Sequence, residues 1–233
     1  TSTLILVGNL VTTLKDKSDN QNDLTQATVS AQPTLTANTF NSKPGITFTK
    51  SSSQFLASLN PSGIARQGSM FAIIKITSLP SNCVWFKYDN ISQGNQVSGA
   101  FGMGYGSGNG DVAGTQFISI DENLQWIQSG VTLSAGSGIF GISDAGITRT
   151  FTYNGVVTTV YSGQEMVPAK SGIAMGGTPY ATARFSNDTF GEVLGYNRIL
   201  NNVERQKIEG YLAWKWGLNN LLPTAHPYFS AAP

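Results

Sequence analysis

From Leu4 to Tyr196 the chain is a succession of short apolar or β-branched runs, each closed by Gly, Asn, Ser or Pro. That punctuation restricts it to an all-β architecture, because short strands between turn signals are what a sandwich or barrel requires. Leu4 to Val7 is closed by Gly8-Asn9. The run Phe71 to Ile76 is apolar at every position but Lys75 and ends before Pro80. A run apolar on both faces suits a central strand. Further runs are Val84-Trp85-Phe86, Phe117 to Ile120, Gly138 to Ile142, Thr150 to Tyr153, Val156 to Tyr161, Gly172 to Met175 and Phe190 to Tyr196.

The sharpest local signal is Tyr153-Asn154-Gly155-Val156. Asn-Gly between two β-rich runs predicts a two-residue hairpin, since both turn residues need positive φ. Pairing across it puts Phe151, Tyr153, Val156 and Val160 on one face. Thr150, Thr152, Thr159 and Val157 fall on the other, so one face is expected to be buried and one solvated.

One segment predicts a helix, over 202–216. Asn201 stands as its cap with Glu204 in capping-box position, and Gly217 follows the last turn. Its expected buried stripe is Val203, Ile208, Tyr211, Leu212 and the stem of Lys215. Leu221 to Pro233 reads as an extended, Pro-punctuated tail whose apolar residues dock it on the body.

At 233 residues the chain is expected to be a single domain over 1–233, within the usual size of all-β sandwiches. Only 12% of residues are charged, against about a quarter in an ordinary globular chain, and the net charge is +1. With no Lys/Arg run there is no footprint for a phosphate backbone, which argues against nucleic acid. No apolar stretch approaches the ~20 residues that cross a bilayer. Cys83 is the one cysteine, so no disulfide framework exists, and its apolar setting predicts a buried thiol. With no Met at its start, the chain reads as a processed product or a fragment.

Two loops stand out. Lys15 to Asp23 is rich in oxygen ligands, and Gly102 to Gly114 carries six glycines around Met103, Tyr105, Asn109 and Asp111. Asp16, Asp19, Asn20, Asn22 and Asp23 offer the oxygens that calcium requires, and a solvated turn held by Asx hydrogen bonds is the alternative. In the second loop an aromatic ring beside amide and carboxylate groups is what sugar binding needs. Tyr105, Asn109 and Asp111 are therefore the candidate ligand-binding residues, against a plain surface loop.

Two segments resemble a known family. Lys15 to Asp23, then Gln32-Pro33-Thr34, Lys43 to Phe48 and Ser52-Ser53-Gln54-Phe55-Leu56, look like the opening of concanavalin A-like, laminin-G-like domains. Gly191 to Leu200 with Glu209-Gly210-Tyr211-Leu212-Ala213-Trp214-Lys215-Trp216-Gly217-Leu218 resembles the closing strand and helix of a subgroup found in phages, large DNA viruses and aquatic bacteria. Pro223 and His226-Pro227-Tyr228 continue that pattern. The chain departs from it at Asp19 and Gln21, where the family has glycines, and at Leu14, where it has an aromatic. The resemblance implies a two-sheet antiparallel jelly-roll sandwich closed by a C-terminal helix and docked tail. It also implies a further strand upstream of Thr1, supplied by preceding residues or by a neighbouring polypeptide.

The residues offer little for catalysis. Glucanases of this fold alternate carboxylates along one strand, which sets a nucleophile and a general acid at working separation. Glu122, Glu165 and Glu192 lack such partners, and Asp121-Glu122 are adjacent and point to opposite faces. Glu192 shares a strand face with Phe190, Leu194 and Tyr196, so it is expected to cap backbone groups or pair with an arginine. A catalytic triad would have to use His226, the only histidine, which lies in the tail and reads as a docking residue. One Cys and one His cannot close a zinc site. Trp85, Trp126, Trp214 and Trp216 read as core or rim.

The expectation is therefore a non-catalytic virion-surface or cell-surface module that is not an enzyme, serving glycan attachment or decoration. Its partners would be a glycan or neighbouring virion or surface proteins. A purely structural capsid or tail protein is the alternative, and a binding module appended to a secreted enzyme is the third reading.

Overall fold

In the computed structural model the described residues are 3–59, 61–62, 68–79, 83–88, 101–106, 115–120, 126–161, 172–177, 179 and 184–233. Among them the strands are β1 (Leu4–Val7), β2 (Leu10–Leu14), β3 (Leu24–Thr25), β4 (Thr34–Phe40), β5 (Lys43–Thr47), β6 (Leu56–Ser58), β7 (Gly68–Ile76) and β8 (Cys83–Tyr88). They continue with β9 (Phe101–Gly106), β10 (Gln116–Ile120), β11 (Trp126–Thr132), β12 (Gly136–Asp144), β13 (Thr148–Tyr153), β14 (Val156–Tyr161), β15 (Ile173–Met175) and β16 (Thr189–Tyr196). The helix α1 (Asn202–Trp216) follows.

The all-β expectation is met. The strands form one antiparallel path, β11-β10-β9-β8-β15-β6-β3-β2-β4-β5-β16-β7-β12-β13-β14, with β1 added to β2, where a two-sheet jelly-roll sandwich was expected. Its ends, β11 and β14, come into contact, so the sheet nearly closes on itself. Rings from distant points of the path therefore meet inside. Trp85 of β8 lies 4.7 Å from Phe140 of β12, and Phe117 of β10 lies 5.2 Å from Phe151 of β13, edge to face.

β7 explains the unbroken apolar run. It bonds to β16 on one side and β12 on the other. Met70, Ala72, Ile74 and Ile76 face the main core, while Phe71 and Ile73 face a second cluster built with Leu212, Ala213, Trp216 and the tail residue Leu222. The Asn-Gly hairpin forms as expected, with φ of 51° at Asn154 and 78° at Gly155. Val156, at the hairpin end, is exposed in place of the expected burial.

The helix has the expected limits, a full capping box between Asn201 and Glu204, and Gly217 in the left-handed conformation. Its buried stripe differs from the expected one. Val203 and Tyr211 are exposed, and the buried face carries Arg205, Glu209, Leu212, Ala213 and Trp216. The reason lies in the tail. Arg205 Nη1 donates to both Glu209 oxygens at 2.7 Å, and His226 Nε2 stands 3.1 Å from Glu209 Oε2. His226 Nδ1 accepts from the Tyr228 N–H, so the Nε2 proton is the one given to Glu209. Charged residues occupy the inner face because the tail brings them a partner. Gly210 is small because a β-carbon there would meet the Tyr228 side chain at 2.6 Å.

A further polar centre ties the layers together. The fully buried Asp188 carboxylate accepts from Trp85 Nε1 at 2.7 Å, Ser186 Oγ at 3.0 Å and the Thr77 N–H at 3.0 Å. Burial pushes its pKa up, while these donors pull it back. Cys83 beside it is buried, and burial raises its thiol well above the ordinary range, as expected of an inert cysteine.

Two outcomes follow from the helix. Leu212 is fully buried between α1 and β7, so Leu212→Ala should cost about 2–5 kcal/mol in denaturant melts; an unchanged midpoint would mean that the helix is not docked through this face. Glu204, held down to about 2 first by its hydrogen bonds with Arg198 and then by the Asn201 N–H, should titrate near pH 2 in a carboxyl NMR titration. Its folded pKa lies below the ordinary 4.5, so its support of the helix start is complete above pH 4.5 and is lost as pH falls toward 2.

Candidate functional site

Among the described residues an opening arises where β16 loses its neighbour. β5 bonds to β16 only at Thr189 and Phe190, and the β16–β7 register shifts between Phe190 and Val193. This bulge overturns the expected strand face. Phe190 and Val193 turn to the main core, while Leu194 and Tyr196 turn to the helix cluster. A one-residue change of register exchanges faces, because side chains alternate along a strand. Beyond Phe190, the edge of β16 facing away from β7 borders a cleft of about 930 Å³.

The floor of the cleft is apolar, with Leu14, Leu35, Ile46, Phe190 and Val193. Its rim is polar. One side is built from Glu192 of β16 with Tyr211, Lys215 and Trp216 of α1, and the other from the Lys15 to Asn22 loop. Glu192 Oε1 accepts from Lys215 Nζ at 2.9 Å and from Tyr211 Oη at 3.1 Å, and Oε2 accepts from Trp216 Nε1 at 2.8 Å. Lys215 Nζ also donates to Tyr211 Oη at 2.7 Å. The expected arginine partner is thus replaced by a lysine one helical turn beyond Tyr211. The geometry comes from α1 crossing β16, with Trp216 packed edge to face on Phe40 at 5.3 Å.

The opposite rim is a turn held by its own carboxylates. Asp16 accepts from the Ser18 N–H, Ser18 Oγ and the Asn22 N–H, each within 2.9 Å. Burial raises the Asp16 pKa, but these donors outweigh it and the carboxyl ends below its ordinary value. Asp23 accepts from Lys15 Nζ and from the Asp16 N–H. Asn22 bonds both ways with the Ser62 backbone, at 2.9 and 2.8 Å. Gln21 adopts φ 53°, at one of the positions where the resembled family has glycine. Of the expected calcium ligands Asp16, Asp19, Asn20, Asn22 and Asp23, the two inner carboxylates face N–H, O–H and ammonium donors, and Asp19 and Asn20 are exposed. Among the described residues no group of three or more His, Cys, Asp or Glu could hold a metal ion. The hydrogen bonds that the turn makes are Asx-type.

The expected sugar-binding loop is corrected in part. Gly102 to Gly106 belongs to β9, and Tyr105 is buried against Trp85 at 5.6 Å with its hydroxyl on the Ser78 carbonyl at 3.2 Å. Its ring has no free face for a sugar. The glycines at 102 and 104 are small because β8 lies against them: a β-carbon at Gly104 would come within 2.1 Å of the Cys83 carbonyl oxygen. Alternation puts Met103 and Tyr105 in the core and the glycines toward β8. Asn109 and Asp111 lie outside the described residues, as do Glu122, Glu165 and the side chain of Trp126. Trp85 and Trp216 are buried, and Trp214 is exposed at the surface with its Nε1 on the Tyr228 carbonyl. What sequence reasoning missed is the Glu192, Tyr211, Lys215, Trp216 cluster. The spacing Tyr211, Lys215 places two polar groups on one helix face, but nothing in the sequence says that β16 lies opposite.

No protein-family model matches the chain, and no curated protein matches it. Solved structures share its fold. A GH54 α-L-arabinofuranosidase soaked with a cyclic sulfate inhibitor aligns over 86% of this chain and 50% of its own, with TM-score 0.63 and 16% identity. An arabinofuranosidase complexed with arabinofuranosyl-α-1,2-xylobiose aligns over the same shares, with TM-score 0.63 and 14% identity. A Trypanosoma rangeli sialidase in complex with the inhibitor DANA aligns over 86% of this chain and 32% of its own, with TM-score 0.53 and 16% identity. The chain thus spans about half the length of those arabinofuranosidases. The expectation that the chain is not an enzyme does not stand, because glycosidases are among the proteins that share its fold. At such identities the likeness is one of fold, and the family resemblance is met at the level of an all-β fold shared with carbohydrate-active proteins.

Proposed function

We propose that the chain is a carbohydrate-binding β domain and that its glycan lies in the cleft beside β16. The observation that carries this reading is the cleft itself. It joins an apolar floor to a rim of tyrosine, lysine, carboxylate and amide groups. A sugar needs that combination, since its C–H faces are apolar and its hydroxyls both give and accept hydrogen bonds. The arabinofuranosidases and sialidase that share the fold act on or bind sugars, which agrees with it. The low charge of the chain points the same way, because recognition must then come from short-range contacts instead of long-range steering. The same proposal takes the fold as a two-layer jelly roll of the concanavalin A-like kind and places the module on a virion or cell surface.

A glycan array with the whole chain, followed by calorimetry on the hits, tests the reading. Arabinose- and sialic-acid-containing oligosaccharides belong on it, with product analysis of the same samples to detect cleavage. Expected is saturable binding that is weakened roughly tenfold or more by a bulky change at the cleft floor, Val193→Trp, with the melting curve as control for folding. An array with neither binding nor turnover would remove the carbohydrate reading.

A further inference from the structure

We infer that Glu192 and Lys215 read two adjacent hydroxyls of an uncharged sugar, Glu192 taking a proton donor and Lys215 giving one. This rests on the carbohydrate reading above and names the class of ligand and the residues that select it.

The argument starts from how the groups are held. Lys215, Tyr211 and Glu192 form a closed ring of hydrogen bonds, with distances of 2.7, 3.1 and 2.9 Å, and Trp216 Nε1 fixes the other carboxylate oxygen at 2.8 Å. Lys215 Nζ also lies 2.9 Å from that second oxygen. Lys215 sits over the Tyr211 ring at 5.1 Å from its centre. Each of the three polar ends is held by hydrogen bonds, so a ligand finds them already placed and loses less entropy on binding.

The hydrogen-bonding capacity is not exhausted. A carboxylate accepts along about four directions and an ammonium gives three donors. Tyr211, Trp216 and one Lys215 N–H shared between both oxygens take up most of those of Glu192, and Glu192 and Tyr211 take two of those of Lys215. What is left is an acceptor beside a donor. Both side chains are open at the rim, Lys215 at 43% and Glu192 at 18% exposure.

Neighbouring hydroxyls on a sugar ring stand one carbon–carbon bond apart and present the complement, one donating and the other accepting. The pair carries no net charge, so a carboxylate-bearing sugar gains an ammonium only by approaching Glu192. A neutral pentose or hexose meets no such repulsion. A salt bridge that only tied α1 to β16 would need no opening onto the cleft, and α1 is already anchored there by Leu212 and Trp216.

The test uses the whole chain and NMR titration with methyl α-arabinofuranoside, methyl β-xyloside, their deoxy analogues and methyl glucuronide. Expected is binding of at least one neutral glycoside. Removing either of two adjacent hydroxyls, or making Glu192→Gln or Lys215→Met, should weaken it roughly tenfold or more, the size of a lost hydrogen bond to a charged group. Helix content and melting should stay near the native values. If either variant fails to fold, Tyr211→Phe, which removes one hydroxyl from the ring of bonds, carries the test with an expected severalfold loss. Neutral-sugar binding that is unchanged in the variants, or preference for the glucuronide, overturns this inference and leaves the carbohydrate reading standing. Absence of binding to every sugar on both the array and this panel overturns both.

Discussion

β7 is the strand on which the rest of the molecule is arranged, because it must bury both of its faces at once. Met70, Ala72 and Ile74 belong to the main core inside the sheet, and Phe71 and Ile73 belong to the cluster under the helix. An ordinary antiparallel strand solvates one face, but this one cannot. Something has to cover the outer face, and α1 with its tail does so. The position of Lys215 and Tyr211 over Glu192 follows from that covering.

Buried polar groups then fix which arrangement of apolar surfaces is adopted. Apolar burial is not directional, so it does not by itself choose one docking angle. The Asp188 carboxylate, shared by Trp85, Ser186 and Thr77, joins β8, the end of β7 and the approach to β16 at one point. The Arg205, Glu209, His226 chain does the same between helix and tail. Each would leave a buried charge without partners if the layers slid. The cleft is bounded by elements held in this way, which suits a binding site that must keep its shape.

The site was less legible than the fold, for reasons that differ by residue. Tyr105 looked like a loop aromatic because glycines surround it. Those glycines instead let β8 lie close, and a strand packed that tightly buries its alternate side chains. The Asp16 loop showed its oxygens in the sequence but not its donors. Backbone N–H groups carry no sequence signal, and they occupy the carboxylates in the folded turn. Glu192 was placed on the face of Phe190, but the bulge after Phe190 separates the two, and a bulge is set by neighbouring strands.

Local features followed from the sequence alone. The Asn154-Gly155 turn, the Asn201 and Glu204 capping box, Gly217 as the helix stop and the apolar run of β7 all form where the residues place them. Each depends on contacts within a few residues, so the chain carries its own instructions there. Only the tertiary structure decided that the strands join in one nearly closed path and that β5 leaves β16 after Phe190. It also decided that Arg205 and Glu209 face inward and that the rim of the cleft pairs a strand carboxylate with a helix lysine. Those outcomes depend on residues tens of positions apart meeting in space, and the energy that selects them belongs to the packed layers and not to any segment of the sequence.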